Sequence, residues 1–189
     1  MNLEEYLKHI INDSSLYKAL PEVLNSFEKK SIRKNELFVA SGTVCEYFCY
    51  IESGVLQHSI QVGLEEKTTY LALKNSCTVA LKSFLNQTVS RKNVKALTDC
   101  SLWVISVDKF KYLLEKNTAF FMFYHKLIEN QIFRIDDYRI DLLTLSPEER
   151  YQKLLKNDPQ LLQSIPLHYL ASFLGISTRH MSRIRKNVK

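Results

Sequence analysis

Residues 117–145 constrain the chain most, because they contain neither glycine nor proline. Apolar side chains recur there at irregular steps of three and four: Phe120, Tyr124, Leu127, Ile135, Tyr138, Leu142 and Leu145, with Gln131 in the same row. That is the period of an α-helix. A second row, Phe121, Ile128 and Ile132, lies beside the first. A helix of about 28 residues runs about 42 Å and has more apolar surface than one small domain covers. Two readings stand. The stretch is a core helix, or it is a connecting helix that packs one side on a domain and the other on a second copy of the chain. In either case it divides the chain in two.

The part before it is punctuated by glycines. The chain has only four, and Gly42, Gly54 and Gly63 separate short segments rich in β-branched and aromatic residues. These are 36–40, 46–51, 55–62 and 67–73, followed by 94–105 with its "LWVIS". Short strands with turn signals every 8–12 residues or so predict a sandwich or barrel-like roll, here over roughly residues 20–115. The opening "MNLEEYLKHIIN" reads as an amphipathic helix, not a signal peptide, because acids and a lysine interrupt its apolar residues. No run of about 18 apolar residues occurs, so a cytoplasmic protein with no membrane partner is expected.

The part after it is short and basic. Ser146, Pro147 and Glu149 form a capping box that starts a new helix over about 147–156, and "NDP" at 157–159 breaks it. Residues 146–189 hold eight Lys and Arg against three Asp and Glu, whereas the rest of the chain is nearly balanced. The net charge of +6 is therefore local to one end, which points to a polyanion as partner of that end.

Within it, "LHYLASFLGISTRHMSRIRK" has the spacing of a helix-turn-helix. Ala171 stands where two helices cross closely. Gly175 stands where the turn favours a left-handed backbone. Leu170, Leu174, Ile176, Met181 and Ile184 stand where the two helices must be apolar to hold together. Ser177 can cap the second helix. A generic helical hairpin is the plainer alternative. At about 100° per residue, Arg179, Arg183 and Lys186 fall within one sector of about 60°, opposite Met181. His180 and Ser182 border that sector, and Thr178 lies at the leading end. Val188 is expected to face inward and Arg185 to sit at the rim, nearer the buried side. Arg179 and Arg183 suit guanine edges, while Ser177, Arg185 and Lys186 suit phosphate.

Together these features resemble the Crp/Fnr family of bacterial transcription regulators, over nearly the whole chain. The likeness is most specific in "IPLHYLASFLGISTRHMSRIRK" and in "SGTVCEYFCYIESGVLQ", and the dense Lys, Phe, Tyr and Asn usage is similar to Bacteroidetes-type members. The resemblance implies an α+β protein in three parts. Residues 1–116 form an N-terminal antiparallel β-roll, a cyclic-nucleotide-binding-like jelly roll, with an N-terminal helix. Residues 117–145 form a long dimerisation helix, and residues 146–189 form an all-α helix-turn-helix domain. It implies a homodimer on palindromic double-stranded DNA, with RNA polymerase as a further candidate partner. The family's cyclic-AMP binders carry Gly-Glu and Arg-Ser/Thr pairs in a phosphate cassette. The matching positions here are Val79–Ala80 and Ser90–Arg91, so the acid is missing and the arginine is displaced by one, which on a strand turns it to the other face. The possible effector site is thus Ala80, Ser90, Arg91 and Lys92, with the effector unknown and cyclic AMP not expected. Many members continue into a β-wing that touches DNA. That contact is expected to be lacking, with His168 and Tyr169 supplying backbone contacts.

An enzyme is not expected. The sequence has no Gly-rich phosphate loop, no HExxH and no nucleophile elbow, and His9, His58, His125, His168 and His180 each stand alone. Four residues of strand span about 13 Å, so Cys45 and Cys49 cannot share one metal ion. Cys45, Cys49, Cys77 and Cys100 read as reduced structural thiols, and no cofactor or metal is expected. A ligand-sensing module whose helical C-terminus contacts protein is the competing functional reading.

Overall fold

The computed structural model describes residues 1–157, 159 and 165–187. Helix α1 (Leu3–Ile11) opens the fold, held by a capping box in which Asn2 and Glu5 exchange bonds of 2.8 and 3.0 Å. Its apolar side, Leu3, Tyr6, Leu7 and Ile11, is buried. A 3₁₀ turn (Ser14–Ala19) and α2 (Leu20–Ser26) follow.

Eight strands then make two four-stranded antiparallel sheets. β1 (Glu28–Ile32), β8 (Cys100–Ser106), β3 (Tyr47–Ser53) and β6 (Ser76–Thr78) form one, in that order. β2 (Leu37–Val39), β7 (Asn93–Ala96), β4 (Val55–Val62) and β5 (Glu65–Leu73) form the other. α3 (Leu81–Asn86) crosses between the sheets and α4 (Val107–Lys116) follows the last strand. The predicted segment 94–105 is two strands, not one. β7 pairs with β4, and β8 pairs with β3 and β1 in the other sheet, so the chain changes sheets between them. β1 carries "EKKSI", which has no strand-like pattern. It is an edge strand whose lysines and glutamate face water, and its pairing with β8 makes it a strand.

Gly54 is required where β3 turns into β4. Its φ is +97°, and a Cβ there would lie 2.5 Å from Cys100 Sγ and 2.6 Å from the Asp99 carbonyl oxygen. The core of the roll centres on Phe110, whose ring packs edge-on against Phe84, Phe120 and Tyr124 with centroids 5.1–5.2 Å apart.

α5 (Thr118–Thr144) is the long helix. Asn117 caps it by accepting the Phe120 N–H at 3.0 Å, and its amide ties α5 to α2 by donating to Ala19 O and Glu22 Oε2. Only its first turns are deeply buried, at Ala119, Phe120 and Phe123. Phe123 belongs to neither apolar row of the sequence. It packs towards Tyr6 of α1, because α1 covers a third side of α5. Further on, Phe121, Ile132, Phe133, Ile135, Ile140, Leu142 and Leu143 are all exposed.

α6 (Pro147–Asn157) starts at the capping box: Ser146 N–H donates to Glu149 Oε2 at 2.8 Å and Glu149 N–H to Ser146 Oγ at 3.3 Å. α7 (Leu167–Phe173) and α8 (Thr178–Asn187) complete the described chain. They pack with α6 on the outer face of the β4–β5 sheet. Tyr151, Ile165, Leu170, Ala171, Leu174, Met181 and Ile184 share a small core with Val55, Leu71 and Leu97 of the roll. Both faces of β4 are therefore covered, and its first five residues are all buried.

Candidate nucleic-acid interface and roll cavity

The turn between α7 and α8 follows from its own residues. Gly175 adopts φ +71°. Its N–H donates to Ser172 O at 3.2 Å, and the Ile176 N–H reaches back to Ala171 O at 3.0 Å. This pair of bonds is a Schellman motif, which closes the end of α7. Ser177 Oγ then accepts the His180 N–H at 3.2 Å and starts α8. Met181 and Ile184 are fully buried, so the opposite side of α8 faces water.

Arg179, Arg183, Arg185 and Lys186 are all exposed, and none forms an ion pair with a described residue. Arg185, expected near the buried side, reaches water like the others, since a long arginine stem can carry its head outward. Ser177 and Thr178 are exposed at the leading end. Two bordering residues are engaged within the protein. His180 Nε2 lies 3.1 Å from Glu148 Oε1 at the start of α6, and the Ser182 hydroxyl donates to Thr178 O at 2.9 Å. Glu148's own backbone N–H and the His180 ring hold that carboxyl below the ordinary carboxylate range. His168 and Tyr169 lie on α7, where the Tyr169 ring sits under Lys95 Nζ at 5.4 Å. Val188, expected inside, lies outside the described residues, as does Lys189.

α7 is tied to the roll at the free edge of β5. Thr68 N–H donates to Ser172 Oγ at 2.8 Å, an unusual side-chain partner for a strand amide. Tyr138 of α5 donates to Phe173 O at 2.9 Å and stacks on its ring. Arg150 of α6 donates to Leu174 O at 3.2 Å. The helical unit thus hangs on groups from β5 and α5, while Arg150 joins α6 to the end of α7 within it.

The second site is a cavity of about 320 Å³ between the roll and α5. Phe48, Val79, Leu81, Tyr124, Leu127 and Ile128 give it apolar walls. Its polar groups are His58, Thr69, Tyr70, Cys77, Thr78, Lys92 and Gln131. The sequence placed a possible effector site at Ala80, Ser90, Arg91 and Lys92, and of these four Lys92 lines this cavity. Ala80 is buried packing at the start of α3. Ser90 is buried and locks its loop: its hydroxyl donates to Lys92 O at 2.7 Å and its N–H to Thr43 O at 2.7 Å. Arg91 is exposed and does not line the cavity, whereas Lys92, one residue on in the same bend before β7, does.

His58 is the residue the sequence reading passed over. It is 2% exposed, its Nε2 lies 2.7 Å from Thr78 Oγ1, and its Nδ1 has no partner. Burial, then the nearby Lys92 charge, pulls its pKa down to about 3, so the ring is neutral. Burial also lowers Lys92. A signal existed in the sequence. His58 stands two residues after the core residue Leu56 on one strand, and so shares its inward face. The four cysteines are free thiols, and burial raises each of them, which keeps them protonated and inert. No group of three or more possible metal ligands, and no helix long and apolar enough to cross a membrane, occurs among the described residues.

Residues 29–117 match the cyclic nucleotide-binding domain family. No curated protein matches the chain by sequence. Several solved structures are similar over most of it. FixK2 of Bradyrhizobium japonicum has a TM-score of 0.73 at 14% identity, over 86% of this chain and 84% of that one. A transcriptional regulator assigned to the Crp/Fnr family from Eubacterium rectale has a TM-score of 0.67 at 14% identity, over 93% and 82%. The catabolite activator protein of Thermus thermophilus has a TM-score of 0.58 at 18% identity, over 95% and 86%. At such identities the likeness is one of fold.

Proposed function

We propose that the chain is a homodimeric, sequence-specific DNA-binding transcriptional regulator of Crp/Fnr type, with 1–116 as sensor, 117–145 as dimer helix and 146–189 as DNA-binding unit. The observation that carries this reading is α8. Its apolar side is fully buried while Arg179, Arg183 and Lys186 project together into water without an ion-pair partner among the described residues. Such a helix is a fit for the major groove, with Arg179 and Arg183 donating to guanine O6 and N7. Ser177, Thr178, Arg185 and Lys186 are placed for phosphate. Lys186 thereby supports the arginine face without needing to read a base.

The dimer part rests on α5. Phe121, Ile132 and Leu143 are 52, 58 and 87% exposed. At intervals of eleven residues they fall within about 40° of one another around the helix. A second copy of the same helix would cover this stripe. The function is then one of binding and not of catalysis.

Selection from random-sequence DNA with the purified chain tests the reading. The expected result is a two-fold symmetric motif with half-sites about 34 Å apart. Affinity should fall with salt at a logarithmic slope near −0.9 per neutralised phosphate. A protein that selects no sequence, or stays monomeric at micromolar concentration, contradicts it and favours a module whose helical end contacts protein.

A further inference from the structure

We propose that the cavity between β4, β5 and α5 binds a small organic acid with one negative charge and an apolar body, its carboxylate set on Lys92. This names a ligand class for the sensor in the regulator reading, and it rests on that reading only for its biological consequence.

Three features carry it. First, the cavity holds an uncompensated positive charge. Lys92 lines it from the loop that leads into β7, no Asp or Glu lines it, and Lys92 forms no ion pair with a described residue. A half-buried ammonium without a counter-charge is costly, and an anion beside it removes the cost. Second, the other polar lining is neutral. His58, buried and held to Thr78 at 2.7 Å, keeps a ring nitrogen without a partner. Thr78 and Gln131 add hydroxyl and amide groups. One cation among neutral groups matches one negative charge. A phosphate dianion calls for more cations or a planar guanidinium fork, and Arg91 does not line the cavity. Third, Phe48, Leu81, Tyr124, Leu127 and Ile128 offer an apolar surface for the body of the acid, and no carboxylate lines the cavity to accept from ribose hydroxyls. The volume is at the small end of the range of about 300–1,000 Å³ for ligand pockets.

Titration calorimetry of the full chain with octanoate, phenylacetate, octan-1-ol and cyclic AMP tests the proposal. At least one of the acids should bind, the alcohol should bind at least about ten-fold more weakly, and cyclic AMP should give no heat. Lys92→Met should weaken the acid about ten- to a hundred-fold and leave the alcohol unchanged, while Lys92→Arg should keep most of the acid affinity. Lys92→Gln replaces the first variant if Lys92→Met does not fold. Silence with both acids, equal binding of acid and alcohol, preferred binding of cyclic AMP, or undiminished acid binding without the lysine overturns the proposal. DNA selection with the same preparations separates the two ideas. Selected DNA with no acid bound sinks the cavity proposal alone. Acid bound and lost in Lys92→Met, with no DNA selected, supports the cavity and sinks the regulator.

Discussion

The cations of α8 and the amine of Lys92 sit in opposite environments. Arg179, Arg183, Arg185 and Lys186 stand in water on a helix whose other side is buried, so their charge costs the fold little and is free to act outward. Lys92 faces a cavity walled mainly by carbon, beside a histidine that stays neutral. Burial there lowers both groups. The contrast teaches that charge count does not locate a site here. Four clustered cations announce themselves in the sequence, whereas one half-buried cation has the larger electrostatic consequence per charge because its surroundings screen it less.

The largest effect should break the outer region alone. Arg179→Ala with Arg183→Ala should cost about 2–6 kcal/mol of binding to a preferred DNA site, at about 1–3 kcal/mol for each base-reading arginine. Thermal unfolding should stay within about 0.5 kcal/mol, as expected for exposed positions. Anisotropy at fixed salt beside calorimetric melting checks both, and an equal loss on all sequences would mean that the pair holds only phosphate.

The next effect belongs to the cavity. The folded His58 pKa of about 3 lies below the ordinary 6.5. Between those values the unfolded chain binds the extra proton, so stability is intact above pH 6.5 and falls as pH drops towards 3. The slope from this group is about 1.4 kcal/mol per pH unit. His58→Asn should flatten that slope in denaturant titrations from pH 7 to 5. In Lys92→Met the fall should start at the same pH but end at a higher one, since one of the two causes holding His58 neutral is gone. Lys92→Met should also stabilise the ligand-free protein by about 1 kcal/mol, opposite in sign to most core changes. An unchanged melting temperature would show that Lys92 is already well solvated.

The smallest effect lies between the two regions. Ser172→Ala removes the acceptor of the Thr68 N–H and should cost about 1 kcal/mol. β5 carries Tyr70 into the cavity and Thr68 to α7. Hydrogen exchange should therefore show faster opening of the Thr68 amide, and unaltered exchange would mean that the helical unit docks by its apolar core alone.

What was legible in the sequence is local. The Schellman turn at Gly175 needs only residues 171–176, the capping box at Ser146 needs four, and the helical period over 117–145 repeats within any window of it. Spacing alone therefore placed Met181 and Ile184 inside and Arg179 and Arg183 outside. Four features depended on partners far along the chain. β1 is a strand because β8, some seventy residues on, pairs with it. Phe123 is core because α1 folds over α5. Lys92 rather than Arg91 lines the cavity because Ser90 locks its loop to Thr43. His58 becomes a cavity group only when β6 brings Thr78 and α5 closes the space above it. Backbone propensity and helical period act between near neighbours, so the sequence by itself determined α8's two sides. Desolvation depends on everything packed around a group, so only the tertiary structure decided where charge is enclosed.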